Sequence, residues 1–126
     1  MDYITPTHQE ILDVLNQTNV QVIVDEHPFC YSRKYDGYVM SSVNPDNKSG
    51  RTMFLLCVET MQLTREDWRE EVRMTIAHEA IHVAQICKYK DGYLYPLGFR
   101  DDIEKEAFAV QKQPKEALRI LKKYCL

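Results

Sequence analysis

The sequence predicts an α+β domain, and three features carry that prediction. Two short apolar or β-branched runs bounded by turn residues, 20–24 and 52–58, have the length and composition of strands. Residues 74–87 form an apolar run broken only by Thr75, His78, Glu79, His82 and Gln85, which is the composition of a buried helix. Two further stretches after it alternate polar and apolar residues at helical spacing. With 126 residues, 44% hydrophobic and 28% charged, the chain suffices for a single domain spanning 1–126 around one small core.

The elements follow in order. Thr5-Pro6 starts a helix, with proline at the first helical position, and Ile11, Leu12, Val14 and Leu15 supply its apolar face. That helix ends near 16–19, and Val20 to Val24 is the first strand. Residues 26–34 fit no single pattern. Asp36-Gly37 marks a turn, residues 38–43 form a second strand, and 44–50 read as a polar loop. Residues 52–58 are a third, nearly continuous apolar strand, and the three together suggest a small antiparallel sheet. Thr64 with Asp67 resembles a capping box, so a long helix is expected from there to about residue 90, where Asp91-Gly92 stops it. Its first turns are charged apart from Trp68 and Val72. A segment with Pro96 and Gly98 leads to two C-terminal helices, 101–113 and 114–124.

Bulk properties exclude several classes of function. A net charge of −3 gives no broad basic surface for nucleic acid. No apolar stretch is long enough to span a bilayer, and the first residues lack the basic and apolar regions of a secretory signal. A cytoplasmic protein with no membrane partner is the expectation. The four cysteines, at 30, 57, 87 and 125, form no CxxC pair and are expected to be free, largely buried thiols. His27 and Cys30 form a local ligand-type pair that carries little weight.

The chemistry concentrates in His78-Glu79-Ala80-Ile81-His82, an HExxH sequence. On a helix, positions i and i+4 lie one above the other, so both imidazoles reach one metal ion. The intervening glutamate sits beside that ion, where it can take a proton from water. At about 100° per residue, the five polar residues of the run share an arc of about 120°. A polar wedge on a buried helix must be satisfied, and a metal ion with its water would do so. The bland reading is a pair of hydrogen-bonded core histidines.

A catalytic zinc takes three protein ligands and leaves one position open. Downstream stands Ile103-Glu104-Lys105-Glu106-Ala107-Phe108-Ala109. With HExxH followed by E-x-E-A, the chain resembles the gluzincin metallopeptidases, and more closely their minimal zincin-like forms. These include the HtpX-like membrane peptidases, the ImmA/IrrE-like regulatory peptidases and small metallopeptidase-like proteins of cyanobacteria and their phages. The resemblance covers roughly residues 50 to 112. It implies one Zn²⁺ per chain held by His78, His82 and Glu104, with Glu106 as the alternative third ligand. Locally, Glu104 also has the spacing of a reciprocal cap for Asp101. The membrane peptidases place an acid where this chain has Phe108, so the partners of the imidazole N–H groups are left open, with Asp101 and Asp102 as candidates.

By the same resemblance, zinc lowers the pKa of water towards ~7 and Glu79 acts as the general base for peptide hydrolysis. Tyr95 is the candidate oxyanion donor, with Tyr93 and Arg100 as alternatives. A peptide or protein substrate is expected to pair with one of the strands, 52–58 or 38–43. The chain is short for a cleft with two full walls, so a regulatory protein partner is a second expectation. Two competing readings remain. One is a zinc-binding zincin-like domain with weak or no turnover, serving as a regulator or interaction module. The other is a helical structural domain with a fortuitous motif.

Overall fold

In the computed structural model, residues 3–32, 34–44, 47–89 and 101–126 are described. The elements are α1 (Pro6–Gln17), β1 (Val20–Val24), α2 (Pro28–Tyr31), β2 (Gly37–Asn44), β3 (Asn47–Leu56), α3 (Val58–Thr64), α4 (Trp68–Tyr89), α5 (Asp101–Val110) and α6 (Pro114–Cys125). The α+β class expected from sequence is borne out, as is its order of an N-terminal helix, a small sheet, the motif helix and two C-terminal helices.

Local chemistry explains most boundaries. The Thr5 side chain accepts from the His8 N–H and Pro6 opens α1. Asn19 takes φ 63° just past Thr18, the left-handed residue that ends a helix. Asp25, also at positive φ, accepts from the Glu59 N–H at 3.0 Å and so satisfies a donor at the start of α3.

The sheet is mixed rather than antiparallel. β3 lies between the other two strands, parallel to β1 and antiparallel to β2. The parallel pair arises because α2 and β2 intervene between β1 and β3, giving the chain room to reverse twice. A central strand is buried on both faces, which is why Phe54, Leu55 and Leu56 are consecutive, apolar and at most 2% exposed. Of the polar stretch expected as a loop, Asn44 belongs to β2 and 47–50 to β3, with Asn44 paired to Asn47.

The expected capping box at Thr64 does not start the motif helix. Thr64 closes α3, its hydroxyl donating to the Thr60 carbonyl at 2.7 Å, and Arg65 is extended. The helix was hidden because Val58 and Met61 are core residues that continue the apolar run of β3. Arg65 then pairs with Asp36 and, at 3.6 Å, with Glu71, tying the approach to β2 to the first turn of α4.

Helix α4 is the centre of the molecule, packed against α1, α3, α5, α6, β2 and β3. Val72, Ile76, Ala77, Ala80, Ile81, Val83 and Ala84 are all buried, and the three alanines let neighbouring elements approach closely. From α6, Ala117, Leu118 and Leu121 complete that core.

All four cysteines are paired, contrary to the expectation of free thiols: Cys30 with Cys57 and Cys87 with Cys125. Their Cα separations of 5.3 and 5.2 Å are those a disulfide requires. The first staples α2 to the end of β3; the second staples the last turn of α6 to α4. The His27–Cys30 pair is thereby excluded as a ligand set, and His27 Nδ1 accepts from the Phe29 N–H instead. Among the described residues, no helix is long and apolar enough to cross a membrane.

Candidate metal centre

The polar wedge of α4 faces α5 on one flank and the start of β2 on the other. The ring centroids of His78 and His82, one turn apart, lie 5.0 Å from each other. Both present Nε2 to a single carboxylate on α5. His82 Nε2 is 2.7 Å from Glu104 Oε1, and His78 Nε2 is 3.6 Å from Glu104 Oε2. The candidate ligand atoms of the three residues lie within 4.8 Å of one another.

Helix α5 selects Glu104 over Glu106 by its own periodicity. Ala107 and Val110 are buried and dock the helix on its neighbours, so Glu104, one turn before Ala107, faces the histidines. Glu106 lies on the other flank, where its Oε1 accepts from Gln85 Nε2 at 2.9 Å. The Glu104 side chain remains 44% exposed, so the cluster opens towards solvent on that side.

The imidazoles are held from behind. His82 Nδ1 is 2.9 Å from Gln85 Oε1 and His78 Nδ1 is 3.0 Å from Gln111 Oε1. Phe108 sets its ring against His78 at 4.7 Å between centroids. The fifth wedge residue, Thr75, donates to the Glu71 carbonyl at 2.8 Å. Among the described residues, every buried side-chain nitrogen and oxygen has a hydrogen-bond partner.

Electrostatics distinguish the acids. Burial, and then the neighbouring Glu104 carboxylate, push the Glu79 pKa up to about 8. Burial, followed by the proximity of His82, holds His78 below the usual histidine range. The neutral imidazole that results is the form a metal binds.

The start of β2 closes the other flank. At Gly37, a Cβ would lie 2.6 Å from Thr75 Cγ2 and 3.1 Å from Glu79 Cγ, so only glycine lets the strand pass this close to the glutamate. Since β3 is enclosed by both neighbours, β2 is, among the described residues, the edge strand beside Glu79.

Three of the four sequence-derived motif residues thus converge on one point, with Glu79 alongside. Tyr95, Tyr93 and Arg100 lie outside the described residues, as does the side chain of Asp101. The acceptors that face the two Nδ1 atoms are Gln85 and Gln111, residues the sequence reading did not single out for this role. Gln111 carries no motif of its own; its position seven residues after Glu104, on the same face of α5 extended by one residue, was the available signal.

Two imidazole nitrogens and one carboxylate, with both Nδ1 atoms already engaged, match the donor set of a zinc site with one position left open. The donor chemistry therefore fits the ion that the sequence led us to expect. Fold and site together define an α+β domain with a His₂Glu cluster between its central helix and α5. The chain belongs to the family described as a domain of unknown function, DUF8637, whose model matches residues 1–94. That stretch includes the HExxH sequence and ends before Glu104. No curated protein and no solved structure matches the chain.

Proposed function

We propose that this protein is a zinc-dependent peptidase. The observation that carries the reading is the convergence of His78 Nε2, His82 Nε2 and the Glu104 carboxylate beside a glutamate one residue from the first histidine. These three residues would hold one Zn²⁺ per chain. Bound there, the ion supplies the Lewis acidity that makes water nucleophilic near neutral pH and polarises a carbonyl.

The remaining work falls to the chain's own residues. With a cation beside it to lower its pKa, Glu79 is the carboxylate and accepts a proton from water as the water oxygen attacks the peptide carbonyl carbon. It then passes that proton to the amide nitrogen as the C–N bond breaks. Of the two strands considered from sequence, β2 is the one at the sheet edge among the described residues, so an extended peptide would pair along it. The oxyanion donor expected at Tyr95 stays a proposal on sequence grounds.

On compartment, the cytoplasmic location expected from sequence competes with an oxidising one, which the two disulfides favour. Thiol alkylation of the protein taken from its host separates the two: four blocked cysteines mean an oxidising compartment and four alkylated ones the cytosol.

The test is cleavage of an unfolded protein such as casein by zinc-loaded wild type and by Glu79→Gln. We expect hydrolysis that a chelator stops, and a loss of roughly 10²–10⁴-fold in the variant with its zinc content unchanged. Equal cleavage by the variant would remove Glu79 as the base. No cleavage by the zinc-loaded wild type would favour a non-catalytic zinc-binding module.

A further inference from the structure

The histidines of the cluster are oriented by two side-chain amides, and one of these is itself oriented by the acid that rivals Glu104 in the sequence. Gln85 is buried, and its Nε2 donates to the Ile103 carbonyl at 3.0 Å and to Glu106 Oε1 at 2.9 Å. Both partners are acceptors, so the amide nitrogen must face them. Oε1 is then fixed towards His82 Nδ1, and an oxygen there requires Nδ1 to carry the hydrogen. That leaves the lone pair on Nε2, the atom facing Glu104.

His78 is treated in parallel. Its Nδ1 faces Gln111 Oε1, while Gln111 Nε2 lies 3.9 Å from Met74 Sδ, a weak acceptor. Phe108 cannot accept a hydrogen bond, and its ring instead packs edge-on against His78. The acceptor comes from Gln111, half-buried just past the end of α5.

We propose that Gln85 and Gln111 are the positioning residues of the zinc site and that Glu106 holds Gln85 in register. This role rests on the zinc site proposed above. Each amide selects the tautomer that frees Nε2 and fixes the plane of its ring, so that both lone pairs are already aimed at the ion they would share with Glu104. A carboxylate directly behind each histidine would do the same with an added charge. Here the charge stands one residue back, on Glu106, with a neutral amide between. Loss of such a partner weakens metal binding by roughly 10–100-fold.

The experiment measures zinc affinity by competition with a chromogenic chelator for wild type, Gln85→Ala, Gln111→Ala and the exchanged pair Gln85→Glu/Glu106→Gln. The visible absorption of the cobalt-loaded forms and the melting of the metal-free forms are recorded beside it. We expect each alanine variant to bind zinc roughly 10–100-fold more weakly, to reach one zinc at saturation, and to shift the cobalt bands. The exchanged pair should recover part of the affinity lost in Gln85→Ala, because a carboxylate at 85 still accepts from His82 and an amide at 106 still donates to it, while the bond to the Ile103 carbonyl is lost. Gln111→Ala, at a half-buried position, carries the test should Gln85→Ala fail to fold. Alanine variants that bind zinc as tightly as wild type, with unchanged cobalt bands, would overturn the positioning role whatever their melting temperatures. A wild type that binds neither zinc nor cobalt would instead overturn the zinc site itself.

Discussion

Alanine at position 37 is expected to destabilise the protein by pressing β2 off the motif helix. Its Cβ would stand 2.6 Å from Thr75 Cγ2, 3.0 Å from the Leu55 carbonyl oxygen and 3.1 Å from Glu79 Cγ. Carbon atoms pack best at about 3.5–4.0 Å, so α4 or β2 must move by several tenths of an ångström. Overpacking of this kind costs about 1–3 kcal/mol. Removing a glycine from the unfolded chain returns about 0.4–1 kcal/mol, leaving a net loss of about 1–2 kcal/mol. For a chain of this length that lowers Tm by about 4–8 °C. The tightest contact is a single methyl group, and Thr75→Ser deletes it while keeping the hydroxyl that donates to the Glu71 carbonyl. In urea unfolding, the Gly37→Ala/Thr75→Ser double variant should therefore be less destabilised than the sum of the single variants, by about 1 kcal/mol. The contacts to Leu55 and Glu79 keep the rescue partial. Additive single effects, or a Gly37→Ala variant as stable as wild type, would show that the contact between residue 37 and Thr75 does not limit the approach of β2 to α4.

Two further predictions concern stability. The Cys87–Cys125 bridge closes a separation of 38 residues, so Cys87→Ala/Cys125→Ala should lose about 4 kcal/mol by loop entropy, and opening Cys30–Cys57, at 27, slightly less; calorimetry that found no loss would contradict the pairing. In metal-free protein, Glu79 keeps its proton up to about pH 8 when folded, whereas the unfolded chain releases it near 4.5. The unfolded state then binds fewer protons at this group between those values, so the contribution of Glu79 to stability should fall as pH rises from about 5 to 8, by up to ~1.4 kcal/mol per unit. The stability difference between wild type and Glu79→Gln should show that fall, and parallel pH profiles for the two proteins would count against the raised pKa.

The legible parts of the chain were those where a short pattern determines the outcome. The unbroken apolar run through Phe54, Leu55 and Leu56 announces a strand buried on both faces. The wedge from Thr75 to Gln85 announces a buried helix with one polar stripe, and the i, i+4 histidines fall on it. Non-local relations were not legible. Whether β3 runs parallel to β1 depends on the path through α2 and β2, and Val58 and Met61 satisfy strand and helix patterns equally. The four cysteines form no local pair, so their pairing appears only once the strand and helix ends come together. Gln111 is recognisable as a histidine partner only when α5 is docked against α4. Gly37 reads as a turn signal, and its closeness to Glu79 emerges only in three dimensions.

Whether His78, His82 and Glu104 hold one zinc ion is decided by metal content, measured by mass spectrometry on tag-free protein incubated with zinc, for wild type, His82→Ala and Glu104→Ala, with circular dichroism confirming the fold of each. We predict close to one zinc per chain in the wild type and little in either variant. A wild type without zinc, or variants that retain as much as wild type, would contradict it.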